Sequence, residues 1–285
     1  MQTLRPEPRS TSGLSAPVME VFPSIQGEGR YVGEPQVFVR LRGCPLRCRW
    51  CDTPGSWEVR DEATPRIVSI DDEGRPVARR LDAEECDADG GRARPLQLAA
   101  WVAAADPGGK RTVSVTGGEP LVWADFLVAW RPLVSSRRVH LETAGADVRA
   151  LERVLPHVDH VSLDLKLADD LEPPVVLDEA VHAPAPEGEV AWRDVRRRAL
   201  ALVSDRDACA KLIVAGDREP RVYRTLLNDL ADVAPELPLV LQPVTPIRDV
   251  PAPSMRMLEA LVDEAKDRAL DVRVLPQVHR LMGIA

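Results

Sequence analysis

Two hydrophobic rhythms alternate along this chain. Residues 36–42 have a period of two, with Val37, Val39 and Leu41 on one face and Phe38, Arg40 and Arg42 on the other, as in a strand. Further along, helical and extended patterns take turns. They predict helices at 96–105, 123–134, 147–155, 190–203, 221–232 and 254–270. Strands are predicted at 112–116, 139–142, 160–166, 211–215, 239–242 and 272–275, with a loop over 173–186. Strands that alternate with amphipathic helices imply parallel βα units in an α/β fold. About six such units suit a partial (β/α) barrel, with a closed barrel or an open doubly wound sheet as alternatives. In each case the active site belongs at the carboxyl ends of the strands.

Two stretches fall outside this rhythm. Residues 1–17 are rich in Pro, Ser, Thr and Arg and read as a flexible tail. Residues 58–94 are strongly charged and carry the turn Asp71-Asp72-Glu73-Gly74-Arg75-Pro76. They predict an inserted hairpin, 67–70 pairing with 77–81. The expected organisation is therefore one domain over 18–285, with a charged insertion at about 58–94.

Composition narrows the partners. Hydrophobic residues make up 45% and charged residues 29%, enough for a sizeable core with a solvated surface. The formal net charge of −8 argues against a nucleic-acid or anionic-membrane partner. No apolar run approaches the length of a membrane span, and residues 1–17 lack the apolar stretch of a secretory signal. A cytoplasmic location is the expectation.

The chemistry sits in the cysteines. Of five, three lie within eight residues, in Gly43-Cys44-Pro45-Leu46-Arg47-Cys48-Arg49-Trp50-Cys51-Asp52-Thr53, directly after the strand 36–42. Thiolates suit iron–sulfur clusters and zinc. Structural zinc normally takes four protein ligands in two pairs, and no fourth Cys or His lies nearby. Three thiolates can hold three corners of a cubane and leave one iron open. That iron can chelate the amino and carboxylate groups of S-adenosylmethionine. The alternative is a zinc clip completed by a distant His or by Cys86. A second signal is Thr116-Gly117-Gly118-Glu119-Pro120, which follows the predicted strand 112–116. Glycines at a strand end admit a ligand close to the backbone, and Glu119 can accept hydrogen bonds from an ammonium group. Cys86 and Cys209 read as incidental thiols.

The C-x3-C-x2-C spacing resembles the signature of the radical S-adenosylmethionine superfamily. The flanking residues narrow this further: Ser24-Ile25-Gln26-Gly27-Glu28-Gly29, then Gly33 and Pro35, then Phe38-Val39-Arg40-Leu41, then Cys51-Asp52-Thr53 and Trp57. Islands follow at Glu142-Thr143-x-Gly145, Asp164-x-Lys166 and Gln277-x-His279. Together they resemble the 7-carboxy-7-deazaguanine synthases. The resemblance implies conversion of 6-carboxy-5,6,7,8-tetrahydropterin to 7-carboxy-7-deazaguanine with release of ammonia, in deazapurine (queuosine-type) biosynthesis. It implies a [4Fe-4S] cluster on Cys44, Cys48 and Cys51, and Mg²⁺ on Thr53. It implies contacts to S-adenosylmethionine from Trp50, Cys51, Asp52, Gly118, Glu119, Glu142, Asp164 and Lys166. Substrate contacts are implied for Ile25, Gln26, Gly27, Glu28, Arg40, Thr116, His279 and the terminal Ala285. Many relatives carry Ser-Pro-Lys in place of Asp164-Leu165-Lys166, and Pro in place of Ala285. A flavodoxin- or ferredoxin-type electron donor and a homodimer are further expectations. Two other readings are a glycyl-radical-enzyme activase, which shares the cysteine spacing, and a non-catalytic iron–sulfur or zinc protein. The segment from Gln26 to Gly29 and the Cys-Asp-Thr triplet argue against the activase.

Overall fold

The computed structural model describes residues 13–59, 64–86, 91–178, 180 and 182–284. Most of the expected flexible tail, residues 1–12, lies outside these, as does Ala285. In chain order the strands and helices are β1 (Ala16–Ile25), β2 (Pro35–Leu41), β3 (Arg47–Cys48), β4 (Arg66–Ile70), β5 (Pro76–Arg80), β6 (Arg92–Ala93) and α1 (Pro95–Ala105). Then come β7 (Thr112–Gly117), α2 (Ala124–Trp130), β8 (Val139–Thr143), α3 (Val148–Val154), β9 (His160–Asp164) and β10 (Leu171–Glu172). The remainder is α4 (Gly188–Val203), β11 (Ala208–Val214), α5 (Arg224–Val233), β12 (Leu239–Pro243), α6 (Met255–Lys266), β13 (Val272–Val274) and α7 (Val278–Met282).

Seven strands run parallel in the order β2-β7-β8-β9-β11-β12-β13. This is the expected partial barrel, open at β13. The cluster loop leaves β2, which is the first parallel strand but the second in the chain. β1 precedes it and pairs antiparallel, Val21 opposite Val39 and Ile25 opposite Pro35. Ala16 and Pro17, expected in the tail, begin this strand, and Ala16 and Val18 are fully buried. The expected hairpin forms as β4 and β5, Ile67 opposite Arg79. It lengthens the main sheet by pairing β4 with β1, Glu20 opposite Arg66.

The period-two pattern sorts the sheet into two faces. Val37, Val39 and Leu41 of β2 join Val113, Val115, Leu141, Val161, Leu163, Ala210 and Leu212 in the main apolar core, packed against the helices. The opposite face lines the barrel interior and is polar: Arg40, Thr116, Glu142, Asp164 and Lys211 all reach one cavity. Burying apolar area on the helix side stabilises the fold, at roughly 25 cal/mol per Å². The interior-facing polar groups must instead pair with one another or with ligands.

Helix ends fix the strand ends. Asp147 caps α3 by accepting from the Ala150 N–H at 2.9 Å, and Ser254 caps α6 through the Met257 N–H at 3.2 Å. Arg196, buried on α4, donates to Asp229 of α5 at 2.7 Å and to the Lys166 carbonyl at 3.2 Å. The helix layer thereby grips the chain just past β9, where the implied site residues Asp164 and Lys166 lie.

Candidate active site

The cysteine loop is tied down on all sides by the backbone. Gly43 adopts φ +91°, a conformation that suits glycine, and turns the chain out of β2. Its N–H donates to the Ser56 carbonyl at 2.8 Å, and the Cys44 N–H to the Trp57 carbonyl at 2.9 Å. Arg47 folds back to donate to the carbonyls of Cys44 and Leu46 at 2.6 and 2.9 Å. The short strand β3 pairs with β10, Cys48 opposite Leu171. The three thiols therefore stand in a preformed loop on the wall of one cavity of about 340 Å³.

This setting favours a metal cluster. Burial pushes the Cys48 thiol up to about 11, and Cys51 nearby adds to it while Lys166 opposes. Cys44 is driven up further, by burial and then by Cys48 and Glu119, and Cys51 rises chiefly through burial. Three neighbouring thiols that resist ionisation need cations to become thiolates, and irons supply them. Among the described residues, the group of ligand atoms close enough to share a single ion is Glu28, Asp52 and His279, not the cysteines.

β7 ends against this loop. A Cβ on Gly117 would lie 2.2 Å from the Leu41 carbonyl oxygen, and one on Gly118 would lie 2.3 Å from that of Gly43. Only glycines allow the Gly118 and Glu119 N–H groups to donate to Leu41 and Gly43 at 3.0 and 2.9 Å. Glu119 is buried, and its carboxylate accepts from Thr143 Oγ1 at 2.5 Å, Ala144 N at 2.9 Å and Leu121 N at 3.1 Å. Burial raises its pKa despite these donors, so the site is short of positive charge. An ammonium group would supply it. Two buried polar atoms on the cavity wall, Trp50 Nε1 and Gln242 Oε1, also have no hydrogen-bond partner among the described residues. The wall thus fits an amino-acid-bearing, polar cofactor.

Comparison with known proteins follows this geometry. The family model described as the radical SAM superfamily matches residues 38–193. A 7-carboxy-7-deazaguanine synthase from Geobacter sulfurreducens is 34% identical over 274 residues, covering 94% of this chain and 97% of the relative. Another from Methanopyrus kandleri is 35% identical over 283 residues, covering 96% and 95%. The chain belongs to the 7-carboxy-7-deazaguanine synthases. The fold agrees with the crystal structure of QueE from Escherichia coli, at TM-score 0.56 and 22% identity over 94% of this chain and 96% of that one. As a radical SAM synthase it uses a [4Fe-4S] cluster and S-adenosylmethionine.

Every implied site residue of the synthase among those described lines the cavity. Several side chains, however, already have protein partners. Gln26 donates to Glu142 Oε1 at 2.8 Å and accepts from the Glu28 N–H at 3.0 Å, so it braces the wall. Thr116 and Ser114 donate to the same Glu142 carboxylate at 3.2 Å. Asp164 lies 2.9 Å from Lys166 Nζ and 3.2 Å from Lys211 Nζ. Burial opposes the Asp164 charge, and the two lysines outweigh it and hold its pKa low. Lys166 also stands 4.4 Å over the Trp50 ring, a cation–π distance. Arg40 is aimed by Glu20, whose Oε1 lies 2.8 Å from Nε, and reaches Thr53 Oγ1 with Nη1 at 3.4 Å. Thr53 donates to Asp52 Oδ1 at 3.0 Å. Burial opposes the charge on Asp52 too. Hydrogen bonds from Gln277 and Thr53, with the Arg40 and Arg280 guanidiniums, outweigh it and lower its pKa. His279 packs on Gly27, where a Cβ would come 2.1 Å from Nδ1, and the Val278 N–H donates to the Gly27 carbonyl at 3.0 Å. That contact brings the C-terminal segment to the cavity as far as Ile284.

Three residues of the site have no role that the sequence alone assigns. Lys211 stands alone in the apolar strand Ala-Cys-Ala-Lys-Leu-Ile-Val, and a lone Lys in such a run is itself a signal. Burial would discharge it, but Asp164 and then Glu28 hold it protonated. Gln277 donates to Glu28 Oε1 at 2.8 Å and Asp52 Oδ2 at 2.9 Å, bridging two carboxylates. Glu20 lies on β1, the strand missed in the sequence.

Proposed function

We propose that this synthase converts 6-carboxy-5,6,7,8-tetrahydropterin to 7-carboxy-7-deazaguanine, contracting the pterin ring and releasing ammonia. The observation that carries this reading is the convergence of the cysteine loop, the Glu119 carboxylate and the Arg40 guanidinium on one cavity. When bound, the cluster and S-adenosylmethionine supply a 5′-deoxyadenosyl radical able to abstract hydrogen from C6 of the pterin. The protein's contribution is orientation and the exclusion of water and oxygen. Glu119 receives the cofactor's ammonium group, and the Gly117-Gly118 backbone lets the methionine moiety lie against the cluster loop. Trp50 flanks the adenine, and Glu142 faces the ribose. Arg40 binds the substrate carboxylate, while the backbone of residues 25–27, Glu28, Thr116 and His279 surround the pterin.

Thr53 carries Mg²⁺ in this reading, with Asp52 beside it and substrate oxygens completing the shell. Metal therefore binds only with substrate. Thr53→Val keeps the shape and removes the oxygen. It is expected to abolish most of the Mg²⁺ stimulation of turnover while leaving the cluster's absorbance unchanged. Full stimulation of that variant would remove Thr53 from the metal site. A flavodoxin- or ferredoxin-type donor supplies the electron, and the enzyme acts as a cytoplasmic homodimer.

The carboxylate assignment is tested by binding. Titration of the cluster-loaded enzyme with 6-carboxytetrahydropterin and with the analogue lacking the carboxyl group should favour the former by roughly 10- to 100-fold. Arg40→Lys keeps the charge but loses the planar fork, and should erase most of that preference while S-adenosylmethionine binds as before. Equal affinity of wild type for the two pterins would overturn the reading.

A further inference from the structure

Asp164 and Lys211 are register partners on the parallel strands β9 and β11, and both face the cavity. Lys211 is buried, with its side chain only 4% exposed. Its Nζ lies 2.6 Å from Glu28 Oε2, a hydrogen bond, and 3.2 Å from Asp164 Oδ1, an ion pair. Asp164 gives its other oxygen to Lys166 at 2.9 Å, and Lys166 rests on Trp50 of the cluster loop. A string of alternating charges, Glu28–Lys211–Asp164–Lys166, thus runs from the segment 25–28 to the cluster loop. Buried charges are stable only in such company, because removing one member leaves its neighbours uncompensated. Moving any one of the four shifts the balance felt by the others.

We propose that Lys211 is a positioning residue that couples the two halves of the site, transmitting occupation of the cofactor wall to the substrate segment through Asp164 and Glu28. This rests on the reading that residues 25–28 meet the pterin and that the Glu119–Lys166 wall meets S-adenosylmethionine. Coupling of this kind is reciprocal: each ligand tightens the other by the same factor. The string also gives Asp164 a role beside any contact with the cofactor. Its Oδ2 accepts from Lys166, while its buried Oδ1 accepts no hydrogen bond among the described residues and feels Lys211 through charge at 3.2 Å.

The test is calorimetric titration of the cluster-loaded enzyme with S-adenosylmethionine, with and without 6-carboxytetrahydropterin, under anaerobic conditions and without reductant. Wild type is expected to show about tenfold tighter cofactor binding when the pterin is present. Lys211→Met keeps the apolar stem, removes the ammonium and should bring this factor near one. Asp164→Asn keeps the shape and should do the same, and the double variant should lose nothing more. Should Lys211→Met fail to fold, Asp164→Asn decides. A merely structural role would weaken each ligand alone and leave their ratio intact. That result, or a wild type without coupling, would overturn the inference. A wild type that binds S-adenosylmethionine but no pterin would instead overturn the functional reading beneath it.

Discussion

Replacing Cys44, Cys48 or Cys51 with Ala is expected to leave the protein without a stable cluster and without activity, whereas Cys86→Ala and Cys209→Ala keep both. Three thiolates are the minimum that holds a cubane and leaves one iron for S-adenosylmethionine. The loop around them is held by backbone hydrogen bonds and the β3–β10 pairing, none of which needs a cysteine side chain. The variants should therefore fold, and their loss should be chemical. Cys86 sits beyond the β4–β5 hairpin, its thiol near the Asp82 carbonyl. Cys209 is fully buried beside Ser162, deeper in the barrel than the cavity wall. Iron and sulfide content after anaerobic reconstitution reads all five at once. A Cys86→Ala or Cys209→Ala protein that lost its iron would show the ligand set to be wrong.

Gly118→Ala should be nearly as damaging without touching a ligand. The added methyl carbon would lie 2.3 Å from the Gly43 carbonyl oxygen, 2.6 Å from its carbon and 3.0 Å from the Ser56 carbonyl oxygen. All three are backbone atoms, so no side chain can swing aside. Either the end of β7 or the start of the cysteine loop must move, breaking the hydrogen bond between Glu119 N and Gly43 O. We expect a loss of about 2–3 kcal/mol in stability. We also expect roughly 100-fold weaker S-adenosylmethionine binding, because Glu119 moves with the backbone. Gly108→Ala is the control: its nearest neighbour would be an Asp106 carboxylate oxygen at 3.9 Å, and it should change stability by less than about 0.5 kcal/mol. Chemical denaturation and calorimetric titration of the two proteins measure both effects.

Much of the site could be read from residue order because parallel strands concentrate chemistry at their carboxyl ends. Cys44, Glu119, Glu142 and Asp164 each follow or close a strand whose period-two pattern was visible. What stayed hidden has physical reasons. β1 carries Pro17 and Pro23 and follows a Pro- and Ser-rich stretch, so its composition resembles a tail. Its pairing with β6 at Ala16 and with β2 from Val18 onward nevertheless goes with full burial of both residues and brings Glu20 to Arg40. Lys211 escapes a reading of residue order because strand propensity speaks of the backbone and not of which face looks into the barrel. Only the register with Asp164 shows that this face is polar. The partners of Gln26 and Asp164 are also tertiary. Sequence suggests that such residues can meet a ligand, but not that Glu142, Lys166 and Lys211 already engage them. The short helix α7 buries none of its residues and left no hydrophobic period to find.

The most direct test of the account is anaerobic turnover of the reduced, cluster-loaded enzyme with S-adenosylmethionine and 6-carboxy-5,6,7,8-tetrahydropterin. The account predicts 7-carboxy-7-deazaguanine and ammonia in equal amounts, both abolished in Cys48→Ala. Formation of 5′-deoxyadenosine with the pterin left intact would contradict it.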